Sequence, residues 1–452
     1  MSFNTALSGL RAANTSLAVT GNNIANASTT GFKASRTEFG DVYANSLIKS
    51  GTIAGNGVLV TAVSQQFDQG NISFTDNSLD LAINGQGFFV MDSAGGDRIY
   101  TRSGEFGLDE LGFVVSNGGA KLQGLVADAQ GLITGGNPQS LQVVTTDLDP
   151  SATSSLDMSF NLDARELSPN SGVAPAAGFT PFDPSAPSTF NHSTSQTIYD
   201  DLGLPHVMSQ YFVKQNPDPS AADPLNTGLV NQWDVYVLID GEEVSDGVPS
   251  TVSVADAGPA FRPGFQIGFT SSGVLDPSVG GGGSYTITDW DPKDKLGAQN
   301  GATSPATAIS IDFTNATQFG GEFAIAATNQ NGFAQGRLAG VQISEDGILF
   351  ARYTNGEAQN LGQVLLASFD NPQGLSPQGE TTWAESAASG QPNINVPQSG
   401  SLGSIQAGAL EESNVDLSDE LVGLIIAQRN FQANSKTIET ANTLTQTIIN
   451  LR

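Results

Sequence analysis

Cysteine is absent from the 452 residues, so disulfides and thiolate-held zinc or iron–sulfur centres are not available to this fold. Histidine is almost as scarce, with two in the chain. His192 lies in a Ser/Thr-rich stretch and His206 follows Pro205, and both are read as solvated loop residues rather than metal ligands or general bases. Positive charge is also short: 17 Lys and Arg face 45 Asp and Glu, a formal charge of −28. A phosphate backbone would be repelled, so no nucleic-acid partner is expected. No apolar run approaches the roughly 20 residues of a membrane span. The opening "MSFNTALSGLRAANTSLAVTGNN" has neither a basic leader nor a continuous apolar core, so neither a cleavable signal peptide nor membrane insertion is expected.

Catalytic signatures are missing as well. There is no G-x-S-x-G elbow, no H-E-x-x-H helix and no phosphate loop. "DWDPKD" brings Asp289, Asp291 and Asp294 together, but the third acid falls one place late for an EF-hand loop. Scattered acids leave paired-carboxylate chemistry open without recommending a pair. The expectation is a non-enzyme with no catalytic residues, no cofactor and no metal site.

What the chain has in excess is glycine, 52 residues, alongside 21 prolines and only 14% charged residues. That composition favours turn-rich β structure spread over several cores in a chain of this length. Only the two ends read as helix. Phe3, Leu10, Leu17 and Ile24 recur every seven residues, with Leu7 in a companion phase. At the far end Leu417, Leu424, Phe431 and Ile438 repeat the spacing, with Leu421 and Ile449 as companions. The companion phase is otherwise polar, at Asn14, Gly21, Gln428, Ser435 and Asn442, which predicts helices too weak to stand alone. The first helix runs into "GNNIANASTTGFKASRTEF". There Ile24 keeps the apolar face, and Asn22, Asn23 and Asn26 supply amides for capping or for a neighbouring copy. Lys33 and Arg36 then give the following connector positive charge beside an acidic body.

Between the ends the apolar period is two. Leu79, Leu81 and Ile83 alternate before Asn84-Gly85, and turn dipeptides at Asp346-Gly347 and Asn355-Gly356 separate a late set of strands. Trp233, Val235, Val237 and Ile239 alternate before Asp240-Gly241, with similar runs at Phe265–Phe269 and Ile309–Phe313. Pro/Ala/Ser-rich residues 166–190 and the "VGGGGS" run read as surface loops. The predicted fold is multidomain α+β: a terminal α-helical coiled-coil pair plus nested, mainly antiparallel β domains. Its expected divisions are 1–29 (N-terminal helix), 30–77 (extended connector), 78–143 and 329–400 (the halves of one β domain), 144–328 (an inserted outer β domain) and 401–452 (C-terminal helix).

"LSGLRAANTSLAVTGNNIANASTTGFKASRTEF" resembles the N-terminal signature of the bacterial flagellar rod, hook and hook-associated axial proteins, and "GALEESNVDLSDELVGLIIAQRNFQANSKTIETANTLTQTIINLR" is similar to their C-terminal signature. "LDLAINGQGFFV", "YTRSGEF" and "LGQVLLASFDNPQGLSPQGETTWAESAASG" are similar to segments of the hook branch, leaving the insertion as the least familiar part. The resemblance implies a structural subunit that polymerises helically into a short curved tube, a universal joint between rod and filament in swimming motility. It implies export through the flagellar type III apparatus to the hook on the extracellular cell surface. It further implies, as partners, the chain itself, the distal rod protein, the hook–filament junction protein and the hook cap. Within it, Leu7, Leu10, Leu17, Ile24, Leu417, Leu421, Leu424, Phe431 and Ile438 are the expected packing positions, and Asn22, Asn23 and Asn26 the expected polar ones. Two other readings are another axial subunit, from the distal rod or the junction, and a secreted β-rich binding protein or enzyme with its site in the insertion.

Overall fold

The computed structural model describes residues 2–42, 57–128, 131–144, 146–169, 182–215, 231–244, 264–280, 282–293, 298–303 and 307–450. Two helices bracket the chain, α1 (Ser2–Ala25) and α2 (Leu417–Asn450). The described residues between them are almost wholly strands and turns, most of them paired antiparallel. Parts of the chain read above as loops or connector, 43–56, 170–181 and 281, and Asp294 of the acidic cluster lie outside the described residues.

Asp416 starts α2: its Oδ1 accepts from Ser418 N at 2.8 Å and Asp419 N at 3.3 Å, and Asp419 and Glu420 occupy the first turn, where the helix dipole favours acids. The two helices run antiparallel, since Asn23 meets Glu420 and Gly9 lies opposite Asn434. Gly9 is required by that approach, because a Cβ there would fall 2.6 Å from Asn434 Oδ1. α1 buries Ala6, Ala13 and Thr20, and α2 buries Ala427, with Leu424, Phe431, Asn434, Ile438 and Ala441 half-buried. The companion phase in this pair is therefore the small-residue set at 427, 434 and 441. The polar set read from the sequence is displaced from it, with Asn14, Gly21, Gln428 and Asn442 exposed. Small side chains let the backbones come close, and the leucines flank that contact.

The chain forms two compact units, Met1–Thr146 with Leu338–Tyr353 and Ala358–Arg452, and Asp147–Arg337 with Thr354–Glu357. In the first, α1 packs against α2 and against the hairpin of strands Ser35–Asp41 and Val58–Gln65. Its large sheet covers a core of Leu81, Phe89, Met91, Leu122, Leu349 and Leu366. The apolar run Phe88–Asp92 does not fold back on Leu81–Asn84 as a hairpin at Asn84-Gly85. Leu81–Asn84 pairs instead with Ser404–Ala407, and Ile72–Phe74 with Ala409–Glu411. Those pairings draw the segment before α2 onto the segment after α1.

The second unit holds two five-stranded sheets around Leu156, Phe160, Phe212, Trp233, Ile267 and Phe313. Two of its pairings are parallel, Ser155–Asp157 with Ser310–Asp312 and Asn161–Asp163 with Thr317–Phe319. Neither histidine is a solvated loop residue. His192 opens a strand and stacks on Phe323 at 4.5 Å, and burial lowers its basicity. His206 is buried in the next strand, with Nδ1 2.5 Å from Asp240 Oδ2 and Nε2 3.3 Å from Asp200 Oδ2. The error has a local cause: Pro205 starts that strand rather than preceding a loop.

Asp234 in this unit carries a pH dependence. It accepts from Gln215 Nε2 at 2.7 Å and Gln266 Nε2 at 3.1 Å, yet desolvation pushes its carboxyl up to about 6. A carboxyl raised in the folded state costs stability above that pH, and the cost disappears as pH falls toward its unfolded value. Asp234→Asn is expected to gain about 1–3 kcal/mol at pH 7.5 and little at pH 4.5. Urea unfolding at both pH values checks it, and an equal gain at both would assign the effect to packing.

Candidate functional site

Stretches distant in sequence meet where α1 ends and α2 begins. Asn26 Nδ2 donates to Asn22 O at 2.9 Å and to Asn22 Oδ1 at 3.2 Å, and Thr29 Oγ1 donates to Asn26 Oδ1, so these two asparagines close the helix locally. Gly31 turns the chain at φ +68°, where a Cβ would fall 2.4 Å from Ser103 N, and its own N–H donates to Glu411 O at 2.8 Å. Asn23 is buried and acts as a bracket. Its Nδ2 donates to Ser35 O and to Glu420 Oε1, both at 2.8 Å, while Ser35 N donates to its Oδ1 at 2.9 Å. Asn414 works the same way from the other side, accepting from Ala34 N at 2.8 Å and donating to Gln66 O and Asp68 O.

Under these amides lies a buried ion triad. Lys33 Nζ donates to Glu411 Oε1 at 2.6 Å and to Asp68 O at 2.7 Å, and Arg102 Nη1 donates to Glu411 Oε2 at 3.0 Å. Gly70 N donates to Glu411 Oε1 and Arg102 Nη2 to Gly85 O, both at 2.9 Å. Burial lowers the basicity of both Lys33 and Arg102, and the Glu411 carboxylate opposes it. Lys33 is thus no solvated charge on a connector; it is among the largest fully buried side chains. The triad ties residues 31–35, 68–70, 85–102 and 411–414 into one node, which fixes how the helices leave the β structure.

Sequence reasoning named Asn23, read Lys33 only as charge on the connector, and missed Arg102, Glu411 and Asn414. The available signal was one opposite charge in each terminal signature, the Lys of "GFK" and the first Glu of "ALEESN". The remaining named residues spread along the helix pair. Leu7, Leu10, Leu17, Ile24, Leu424, Phe431 and Ile438 are half-buried; Asn22 is exposed and Asn26 half-buried. Leu417 and Leu421 leave 49% and 50% of their surface open, joined by Val422, Ile425 and Ile426 at 49–56%. The antiparallel register leaves α2 longer than its partner, so residues beyond about 441 run past the start of α1 and expose Leu444 and Ile449.

Among the described residues no group of three or more His, Asp or Glu is placed to hold a metal ion, and no helix is long and apolar enough to cross a membrane.

Four family models match in chain order. Residues 3–33 match a flagella basal body rod protein model, and 82–154 the D1 domain of flagellar hook protein FlgE/F/G. Residues 161–333 match the FlaE D2 domain of a flagellar basal body protein, and 406–451 the C-terminal model of the flagellar basal body rod FlgEFG protein. Along its full length the chain is 36% identical to the flagellar hook protein FlgE of Salmonella typhimurium, with 100% of both chains covered. It belongs to the flagellar hook protein family. The FlgE of Escherichia coli is 35% identical over 100% of both chains, and that of Treponema pallidum 31% identical over 99% of this chain and 98% of the relative. A crystal structure of Helicobacter pylori FlgE2 covers 75% of this chain and all of that one at TM-score 0.50 and 14% identity, a likeness of fold. The hook protein family is a structural one, not an enzyme family. In this hook protein Lys33 falls in the first matched segment and Glu411 in the last, so the ion triad links the two rod-type terminal signatures.

Proposed function

We propose that this chain polymerises head-to-tail into a curved tube, the hook, and transmits torque between rod and filament as a universal joint. The observation that carries the proposal is the apolar surface left open on α2. Five large aliphatic residues between Leu417 and Ile426 are about half exposed, and the last turns run past α1. The described residues of one chain leave that surface open, and identical copies repeated without closure would cover it. In this reading α1 (within 1–29) and α2 (within 401–452) form a coiled-coil inner layer. Residues 30–77 are the joint, 78–143 and 329–400 a middle layer, and 144–328 the outermost one. Leu7, Leu10, Leu17, Ile24, Leu417, Leu421, Leu424, Phe431 and Ile438 pack within and between copies, with Asn22, Asn23 and Asn26 setting the helix-to-joint angle.

The further partners are the distal rod protein, the hook–filament junction protein, the hook cap and the type III export apparatus. In this reading that apparatus carries the chain to the hook outside the cell. Its charge of −28 makes copies repel one another at long range, so assembly should quicken with added salt. Electron microscopy of the purified chain across a salt series tests this: short curved tubes, more numerous at higher salt, are expected. Persistent monomers at every salt concentration would overturn the proposal.

A further inference from the structure

Beside the helix-to-joint turn the first compact unit carries an open groove of about 780 Å³. Its lining sets apolar side chains, Phe32, Ile99, Pro377 and Trp383 among them, within a polar majority, and its charged members are Glu105, Glu380 and the buried Lys33. Glu105 is anchored, accepting from Thr30 Oγ1 at 2.7 Å and Asn117 Nδ2 at 2.9 Å. Glu380 sits at a hairpin tip between strands Ser376–Gly379 and Thr382–Ala384. That tip takes left-handed backbone at two successive residues that are not glycine, Glu380 at φ +51° and Thr381 at φ +55°. Asn-Gly is the preferred occupant of such a turn, and a β-branched threonine is among the least suited. The chain thus holds a carboxylate and a hydroxyl on the rim against backbone preference.

We infer that this groove receives α2 of a second copy. The inference rests on the assembly reading above and names the receiving surface. Val422, Ile426 and Arg429 stand at i, i+4 and i+7, so one face of α2 presents two exposed aliphatic side chains followed within a turn by an exposed guanidinium. Ile425 widens the stripe. An aliphatic ridge suits the apolar part of that lining, and Arg429 at its end suits the exposed Glu380 carboxylate.

The absence of cysteine makes the test clean. Ile426→Cys is combined with Ala94→Cys or with Thr382→Cys, two groove-lining positions, and assembled tubes are treated with a short bismaleimide. A ladder of linked chains at least about tenfold above either single variant is expected. Tubes that form normally but give no ladder with either pair would overturn the groove while leaving the assembly reading intact; a wild-type chain that never forms tubes would sink the assembly reading itself. Charge reversal is the second measurement. Arg429→Glu is expected to raise the concentration needed for tubes about fivefold, and Glu380→Arg in the same chain to return it to within about twofold. A double variant no better than the single one would overturn the Arg429–Glu380 pairing.

Discussion

Glu411→Gln is expected to destabilise the first compact unit by about 3–5 kcal/mol. The glutamine keeps the size and loses the charge. Lys33 and Arg102 would then face each other across a neutral amide in a site closed to bulk solvent, since all three side chains are nearly inaccessible, at 0%, 5% and 0%. The amide also keeps only one acceptor: Oε1 serves Lys33 and Gly70 N while Oε2 serves Arg102, so one of these sets would face an NH2 donor. Stability is small compared with such a figure, so much of the population would open at the node. Urea unfolding followed through Trp383, which lies in the same unit, reads the effect. A loss below about 1 kcal/mol would mean that water reaches the triad and that it is not the fastening described. Replacing all three members by apolar residues of similar size is expected to recover most of the stability, as buried ion triads generally cost more to break than to remove. The triple variant therefore separates a need for charge at the node from a need for filled volume.

The parts of this fold that were legible in sequence are those set by neighbours in the chain. Trp233 to Ile239 alternates and ends at Asp240-Gly241, and the structure has a strand and hairpin turn there. The seven-residue spacing located both terminal helices. Which side of each helix meets the other was not legible, because the contact uses Ala6, Ala13, Ala427 and Ala441, and alanine carries little weight in an apolar pattern. The node was hidden for a different reason. Ile83 pairs with Ile405 and Lys33 with Glu411 across most of the chain, and a lone Lys beside a lone Arg reads as solvated surface until that pairing is known. His206 followed the same rule: its two carboxylates come from turns on either side of its strand, and only the folded register brings them to one ring.

Ending the chain after Ala441 is expected to abolish tubes while leaving the folded unit near its full stability. The residues removed include Leu444 and Ile449, both exposed, and they lie beyond the end of α1. Little of the chain's own core is lost, because the buried contacts of α2 end within the stretch that α1 covers. What is lost is apolar surface that the described residues leave open. Thr443, Thr445 and Thr447 each donate a hydroxyl to the carbonyl four residues earlier, which uses their donor hydrogens within the helix and makes the end of α2 less polar than its sequence suggests. Burying two large aliphatic side chains per subunit is worth about 3–6 kcal/mol, enough to move the concentration for assembly by more than a hundredfold. Analytical ultracentrifugation of the truncated chain should therefore show monomers under conditions where the full chain forms tubes, with a melting temperature within a few degrees of the parent. A truncated chain that still assembles would place the decisive contacts on the Leu421–Ile426 stripe alone. A truncated chain that unfolds would show that the last turns of α2 serve the subunit rather than the polymer, and this second outcome is the one that would separate helix stability from helix docking in the inner layer.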